Sequence, residues 1–299
     1  MENELCFVQF IHPGGEHPPD WGRFKGWNRS SHKRKFLKNG GRCLHEGKLQ
    51  EDELVFWAEW EPESEAVREI SAPLPNGPRY IYEPYYIVPA SYEGLQNTDP
   101  FIFGEQFYYE GCQQRTKRGP TQLRYLARGS VILFGSCVNQ SDFVLDTVFV
   151  VDDWIDHHRG NYRERLAEAV PQAYKEVTIS PWYQESFAEN KGCVRASGHE
   201  SWRLYFGAAY ERPLNGMFSY FPCLPFEQGE RGFARPRISI SGLITDNLSQ
   251  GKRLNPQTSL QDVNALWAEV VGQVEEQGLM LGVYADLPPK RESAKRGGE

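Results

Sequence analysis

Two histidines and a glutamate stand within six residues, in the loop that follows the first apolar run of the chain. His12, Glu16 and His17 lie in the sequence HPGGEHPP, where three prolines stiffen the backbone and two glycines permit close approach of a ligand. Imidazole and carboxylate groups can transfer protons near neutral pH or bind a transition metal. The three residues are therefore candidates for catalysis, and a stiff turn with incidental histidines is the structural alternative.

Carboxylates also occur in two apolar segments that read as strands. In FWAEWEPES, Glu59 and Glu61 would share one strand face with Trp57 and could share a proton, bind a divalent ion or pair with nearby basic residues. Asp146 stands inside FVLDTVFVV, where a charge must be paired, hydrogen-bonded or protonated. We expect Arg124 or Arg128 as its partner if its role is structural, and we keep it as a catalytic candidate.

Two basic segments contain no acidic residue, although the whole chain has a net charge of −7. The first spans residues 21–45 and the second spans residues 111–131. In WNRSSHKRKF we predict a short helix over 30–38 that begins at a serine, and a helix N-terminus with nearby cations favours phosphate. A solvated basic surface is the alternative. The candidate nucleotide-binding residues of this stretch are Trp27, Asn28, Arg29, His32, Lys33 and Arg34.

Aromatic and amide side chains alternate in QNTDPFIFGEQFYYEGCQQR, residues 96–115. Aromatic walls with a few amides are suited to stacking on a base and reading its edge. Phe103, Gln106, Tyr108 and Arg115 are the candidates for such a pocket, and ordinary core packing is the alternative. Cys112 is a possible nucleophile, but the sequence pairs it with no histidine, and we leave it out of the candidate set.

Short runs rich in β-branched and aromatic residues predict strands at 4–11, 54–61, 79–87, 131–135, 143–151, 203–208, 217–221, 237–244 and 279–285. Helical spacing predicts helices at 259–277, which Thr258 or Ser259 could cap, and at 161–170. The mixture predicts an α+β protein with a mixed, mainly antiparallel sheet or a partly open barrel and a few flanking helices. We expect a single domain over 1–299, with a possible division into 1–155 and 156–287, and a flexible tail over 288–299.

Several protein classes are disfavoured by missing motifs. The chain has no P-loop, dinucleotide-binding glycine motif, G-x-S-x-G or H-E-x-x-H sequence, and its cysteines form no C-x-x-C pair. It has no apolar stretch approaching 18 residues and no charged leader before an apolar segment. We therefore expect a cytoplasmic protein without membrane partners, and the sequence does not specify a cofactor.

The succession HPGGEH, WNRSSHKRKF, FWAEWEPES, QNTDPFIFGEQFYYEGCQQ, GSVILFGS, FVLDTVFVV and GMFSYFPC resembles the nucleotide-modification-associated domain proteins of bacterial and phage conflict systems. The resemblance covers most of the chain from residue 12 to about residue 223. It implies work on nucleotides or on modified nucleic acid, in defence against phage, with a possible protein partner in a multi-component system. It supplies no catalytic residues.

The leading hypothesis is a protein that binds a nucleotide or an extruded base and, if it is an enzyme, cleaves or transfers at a glycosidic bond. One alternative is a non-catalytic reader of modified DNA or RNA, and another is a structural subunit of a larger assembly. A reaction centre, if present, is expected where the histidine loop, the segment from Trp27 to Arg34, and the Glu59–Glu61 segment meet.

Overall fold

The structure is a computed structural model that describes residues 3–12, 14–19, 34–88, 98–116, 119–138, 142–183, 201–240, 252–253 and 259–292. Five predicted nucleotide-binding residues lie outside the described residues: Trp27, Asn28, Arg29, His32 and Lys33. In the described part of the chain no helix is long and apolar enough to cross a membrane.

The strands are β1 (Phe7–Ile11), β2 (Lys35–His45), β3 (Lys48–Ala58), β4 (Ser64–Glu69), β5 (Tyr80–Pro84), β6 (Tyr108–Glu110), β7 (Arg115–Thr116), β8 (Gly119–Pro120), β9 (Val131–Val138), β10 (Asp142–His157), β11 (Trp202–Gly207), β12 (Phe221–Pro225), β13 (Arg237–Ile238), β14 (Lys252–Arg253) and β15 (Met280–Ala285). The α-helices are α1 (Tyr162–Arg165), α2 (Gln172–Tyr174), α3 (Ser180–Tyr183), α4 (Phe226–Gly229) and α5 (Leu260–Glu276). A π-helical segment, Lys175–Ile179, joins α2 to α3, and a 3-10 turn spans Gln122–Arg124.

Most strands belong to two sheets. The first has the order β14-β1-β9-β10-β11-β6, with β13 also paired to β10, and the second has the order β15-β12-β3-β2-β5-β4. A further pairing of β15 with β2 closes β2, β3, β12 and β15 into a ring. Only β1–β9 and β2–β5 are parallel among the strand pairs that the structure describes. The predicted α+β class with a mixed, mainly antiparallel sheet is therefore confirmed.

Apolar residues cover both faces of the first sheet. In β1, Val8 and Phe10 pack into one core, while Phe7 and Ile11 pack into the other. Tyr174 of α2 belongs to the first core, and the apolar side of α5 belongs to the second. The near-continuous apolar runs of the sequence are thus strands buried on both faces, as alternation along a strand requires.

The long helix is confirmed, whereas two other predicted helices differ from the structure. Ser259 accepts a hydrogen bond from the Asp262 N–H, and the Asp262 carboxylate accepts from the Ser259 N–H, which is a capping box at the start of α5. The helix predicted over 30–38 is wrong in its described part, because residues from Lys35 onward form β2 and pair with β3. Pairing over the length of two strands outweighs a weak local helix signal. The helix predicted over 161–170 is limited to α1.

Candidate functional site

Three segments that are distant in sequence meet at the candidate site: the residue after β1, the residue after β3 and the turn after β6. His12 directly follows β1, and its N–H donates to the Gly135 carbonyl of β9 over 2.8 Å, so the pairing of the two strands extends to this residue. Its ring lies edge-on to Phe10, with centroids 5.4 Å apart, because residues two apart share a strand face. The sheet thereby fixes the position of the imidazole.

Cys112, His12 and Glu59 form a thiol–imidazole–carboxylate series. The Cys112 Sγ lies 3.2 Å from His12 Nε2, and His12 Nδ1 lies 2.6 Å from Glu59 Oε2. His12 and Glu59 are buried, whereas Cys112 is partly exposed. A carboxylate that receives the Nδ1 proton leaves the Nε2 lone pair directed at the thiol, which is the arrangement that activates a nucleophile.

The turn that carries Cys112 has an unusual backbone. Gly111 has a φ of 94° and Gln113 has a φ of 58°, so the nucleophile candidate stands between two residues in the left-handed region. A glycine adopts this region freely, whereas a glutamine does so only when its surroundings hold it there. Such residues are concentrated at functional sites.

Hydrogen bonds hold this turn from several directions. The Asp99 carboxylate accepts the N–H of Glu110 over 2.7 Å and the N–H of Cys112 over 2.8 Å. The Tyr109 hydroxyl donates to the Cys112 carbonyl over 2.6 Å. The Thr121 hydroxyl donates to the Gln113 carbonyl over 2.5 Å. The position of the thiol is therefore fixed by neighbouring main-chain and side-chain groups before any substrate binds.

The surroundings of the thiol favour its protonated form. Burial raises the pKa of the Cys112 thiol well above its ordinary value of 9.0, and the carboxylates of Asp99, Glu59 and Glu61 add to the rise. The positive charge of Arg34 lowers this pKa only partly. A base must consequently remove the proton when the sulfur attacks, and the His12 Nε2 is in contact with it.

Arg34 stands behind this series as a buried cation between two carboxylates. Its NH1 lies 3.1 Å from Glu59 Oε2, and its Nε donates to Asp146 Oδ2 over 2.6 Å. Asp146 is also paired with Arg235, whose NH1 lies 3.4 Å from Oδ1. The β9–β10 register shifts between Leu145 and Thr147, so Asp146 occupies a bulge that turns its side chain out of the regular ladder.

These contacts correct the partners that the sequence suggested for Asp146. Arg128 pairs with Asp152 over 2.7 Å, and Arg124 lies 3.3 Å from Asp156. Both arginines are close to Asp146 in sequence but are placed elsewhere by the strands. The partners of Asp146, Arg34 and Arg235, are 112 and 89 residues away.

Three of the other predicted catalytic residues have different positions. The Glu16 carboxylate accepts the N–H groups of Arg79 and Tyr80 over 2.6 and 2.9 Å, at the start of β5. The His17 Nδ1 donates to the Pro18 carbonyl over 2.6 Å. Glu61 is partly exposed and influences the thiol through its charge. The structure thus brings His12, Arg34 and Glu59 together, and it places Glu16 and His17 in contacts that anchor the loop.

The residues predicted to form an aromatic pocket have mostly structural surroundings. Phe103 is fully buried, and its ring packs edge-on against Trp60 with centroids 5.0 Å apart. Tyr108 is buried and stacks on Tyr174. Both rings are therefore enclosed by the core, which corrects the expectation that they would line a pocket. The Gln106 amide donates to the Gly207 carbonyl over 3.1 Å.

Arg115, the remaining residue of that set, follows Cys112 by three positions. Its guanidinium lies over the Trp202 ring, 6.0 Å from the centroid. Gln114, between them, donates its side-chain amide to the Arg203 carbonyl of β11 over 2.7 Å. Because Trp202 is buried, the Arg115 guanidinium covers an indole of the core close to the Cys112 turn.

A second series of similar composition lies on the other side of the Cys112 turn. The His157 Nε2 is 3.3 Å from Glu110 Oε1, and the Tyr183 hydroxyl is 2.9 Å from His157 Nδ1. The side chains of Glu110 and His157 are completely buried. This series contains a phenol in place of the thiol and has no exposed imidazole or carboxylate.

Sequence reasoning missed the pairing of Cys112 with His12, and it also missed Asp99 and Arg235. The thiol and the imidazole are 100 residues apart, and no local pattern reports that separation. The one local signal is the Gly–Cys–Gln sequence directly after an aromatic strand, which is compatible with a tight turn. Among the described residues, no group of three His, Cys, Asp or Glu side chains has an arrangement that could hold a metal ion.

Comparisons of the chain with protein-family models, with curated proteins and with solved structures found nothing that matches it.

Proposed function

We propose that the protein is a cysteine-dependent enzyme in which Cys112 attacks an electrophilic carbon of the substrate. The observation that carries this proposal is the contact series from the Cys112 thiol through His12 to Glu59, at 3.2 and 2.6 Å. Nucleophile, base and orienting group within hydrogen-bond reach are the geometric signature of covalent catalysis.

Cys112, His12 and Glu59 take the roles of nucleophile, base and orienting group. The His12 Nε2 takes the thiol proton while the sulfur forms a bond to the electrophilic carbon. The leaving group then departs with that proton, which His12 returns to it as a general acid. A water molecule attacks the covalent intermediate, His12 takes the water proton, and the Cys112 thiol is regenerated when the carbon–sulfur bond breaks. Glu59 stabilises the imidazolium that forms in both halves of the reaction.

A buried cation also contacts Glu59. Arg34 is buried and touches both Glu59 and Asp146. The Arg34 guanidinium lies 3.1 Å from Glu59 Oε2, where it stabilises negative charge on the carboxylate that accepts the His12 Nδ1–H. We therefore assign Arg34 a positioning role, which differs from the phosphate contact expected from the sequence.

The substrate in this proposal is a nucleotide or nucleic acid, as the resemblance implies. The feature that supports this choice is Arg115, a partly exposed cation three residues after Cys112, because a guanidinium can contact phosphate. Cleavage at a glycosidic bond is not required by the cysteine mechanism, which suits any carbon with a good leaving group.

The test is an incubation of the wild type and the Cys112→Ser variant with modified and unmodified DNA, RNA and free nucleotides, with products identified by mass spectrometry. We expect a new product from the wild type that the Cys112→Ser variant does not form. Cys137→Ser is the matched control, because Cys137 is a partly exposed cysteine at the end of β9. It should retain the activity.

Two results would contradict the proposal. A product that Cys112→Ser forms at the wild-type rate would show that the sulfur is not the nucleophile. Salt-sensitive binding of nucleic acid without any product would instead support the non-catalytic reader.

A further inference from the structure

A sulfur that attacks a carbonyl carbon creates a negatively charged oxygen, and enzymes stabilise this oxygen with N–H groups close to the nucleophile. The N–H of Cys112 itself is already engaged. It donates to the Asp99 carboxylate over 2.8 Å and lies 3.1 Å from the Glu110 carbonyl. Another donor close to the sulfur is needed if the reaction passes through an oxyanion.

The next N–H along the chain belongs to Gln113. In the part of the chain that the structure describes, this N–H has no hydrogen-bond acceptor, and the hydrogen bond made by Gln113 is the one that its carbonyl accepts from Thr121. The N–H is attached to the carbonyl carbon of Cys112, so it lies within a few bonds of the sulfur. The residue that carries it has a φ of 58°, which a glutamine rarely adopts.

The neighbouring contacts hold Gln113 in this conformation. Thr121 fixes its carbonyl, and the Gln114 side chain is attached to the backbone of β11 at Arg203. On the other side, the Cys112 N–H donates to the Asp99 carboxylate over 2.8 Å. Strained backbone that its surroundings maintain is characteristic of preorganised sites.

We propose that the Gln113 backbone N–H is the oxyanion donor of this site, and that the substrate is therefore an acyl compound such as an ester, thioester or amide. The proposal rests on the proposed role of Cys112 as nucleophile and narrows the reaction to acyl transfer, so that a nucleotide substrate would have to carry the acyl group. Attack at a carbonyl carbon moves a bonding pair onto oxygen, whereas substitution at a saturated sugar carbon creates no oxyanion for this N–H to bind. Asp99 has a positioning role, because it orients the turn through two main-chain N–H groups.

The test removes the N–H without changing the side chain. Incorporation of the α-hydroxy analogue of leucine at position 113 replaces the amide with an ester, and Gln113→Leu is the matched variant that keeps the N–H. Acylation of Cys112 by p-nitrophenyl acetate is followed as the mass of the intact protein, and alkylation by iodoacetamide is followed at the same residue. Alkylation proceeds without an oxyanion and reports the reactivity of the sulfur alone.

We expect the ester variant to be acylated about 100- to 1,000-fold more slowly than Gln113→Leu, with equal alkylation rates. Equal acylation rates of the two variants would overturn the assignment of Gln113 and leave the nucleophile intact. An equal loss of acylation and alkylation would also overturn the assignment of Gln113, since both rates would then report a less reactive sulfur. A wild type that is alkylated but never acylated at Cys112 would overturn the oxyanion proposal and leave Cys112 as the nucleophile, whereas a wild type that is neither alkylated nor acylated there would overturn both proposals.

Discussion

Two histidine–carboxylate pairs lie on either side of the turn that follows β6, and they differ in access. In one, His12 contacts Glu59 over 2.6 Å and the partly exposed Cys112 over 3.2 Å. In the other, His157 contacts Glu110 over 3.3 Å and Tyr183 over 2.9 Å, with His157 and Glu110 completely buried. Each pair joins an imidazole to a carboxylate, but the third group is a thiol in the first and a phenol in the second. A nucleophile and an open side distinguish the first as a site for chemistry.

The two pairs are also connected. Asp99 accepts the main-chain N–H of Glu110 on one side and of Cys112 on the other. Burial raises the pKa of Asp99 well above its ordinary value, with a further rise from the charges of Glu110 and Glu59. The pair of His157 and Glu110 thus belongs to the support of the turn, whereas the pair of His12 and Glu59, although also buried, contacts the partly exposed thiol of Cys112.

The largest effect is expected for loss of the sulfur. Cys112→Ala should abolish acylation by p-nitrophenyl acetate at this position, a loss of at least about 1,000-fold, because the remaining groups cannot replace a nucleophile. Peptide mapping by mass spectrometry locates the acyl group. Cys137→Ala serves as the control and should be acylated at Cys112 like the wild type. An unchanged total of acyl adduct in Cys112→Ala would contradict the comparison.

The next largest effect concerns the buried cation. Arg34→Met should lower the free energy of unfolding by about 3–5 kcal/mol, because Glu59 and Asp146 would lose their shared partner in the interior. Urea unfolding measures this change. Arg128→Gln removes an arginine whose side chain is 62 % exposed and should cost less than about 1 kcal/mol.

Similar losses for Arg34→Met and Arg128→Gln would contradict the assignment of Arg34 as the buried centre of the network.

The pH dependence of alkylation tests whether the Cys112 thiol is protonated at neutral pH. Since burial raises the pKa of Cys112, the neutral thiol persists through neutral pH, and the thiolate fraction should rise about tenfold per pH unit below that pKa. The iodoacetamide rate at Cys112 should therefore still be rising at pH 9. Glutathione, with an ordinary thiol pKa, is the control and should level off earlier. A plateau for Cys112 below pH 8 would show a preformed thiolate and contradict this account.

The smallest effect is expected in the buried pair. Tyr183→Phe removes the hydroxyl that contacts His157 Nδ1, and this should cost about 1 kcal/mol of unfolding free energy. Acylation of Cys112 should remain at the wild-type rate. A large loss of acylation in this variant would show that the buried pair takes part in the reaction.

The fold class and part of the site could be predicted from the sequence. The apolar runs around residues 131–151 and the capped helix α5 carry strong local signals, and both are present. The meeting of His12, Arg34 and Glu59 was also predictable, since an acid-free basic segment needs carboxylate partners. β2 was missed because its pairing with β3, and not its local composition, determines its structure.

The nucleophile could not be predicted, since the contact of Cys112 with His12 depends on how β6 and β1 are placed in the same sheet. Phe103 and Tyr108 were predicted to line a pocket for a related reason. Their aromatic character is the same in a core as in a binding site, and only the surrounding packing separates the two.

The most direct test of the central claim compares the two histidines. The acylation rate of Cys112 by p-nitrophenyl acetate is measured at neutral pH in the wild type, in His12→Gln and in His157→Gln, with the folded state of each variant checked by circular dichroism. We predict a loss of about 100-fold or more for His12→Gln, because the thiol loses its base, and a rate within about threefold of the wild type for His157→Gln. Equal rates in the two variants would contradict the assignment of Cys112, His12 and Glu59 as the catalytic series.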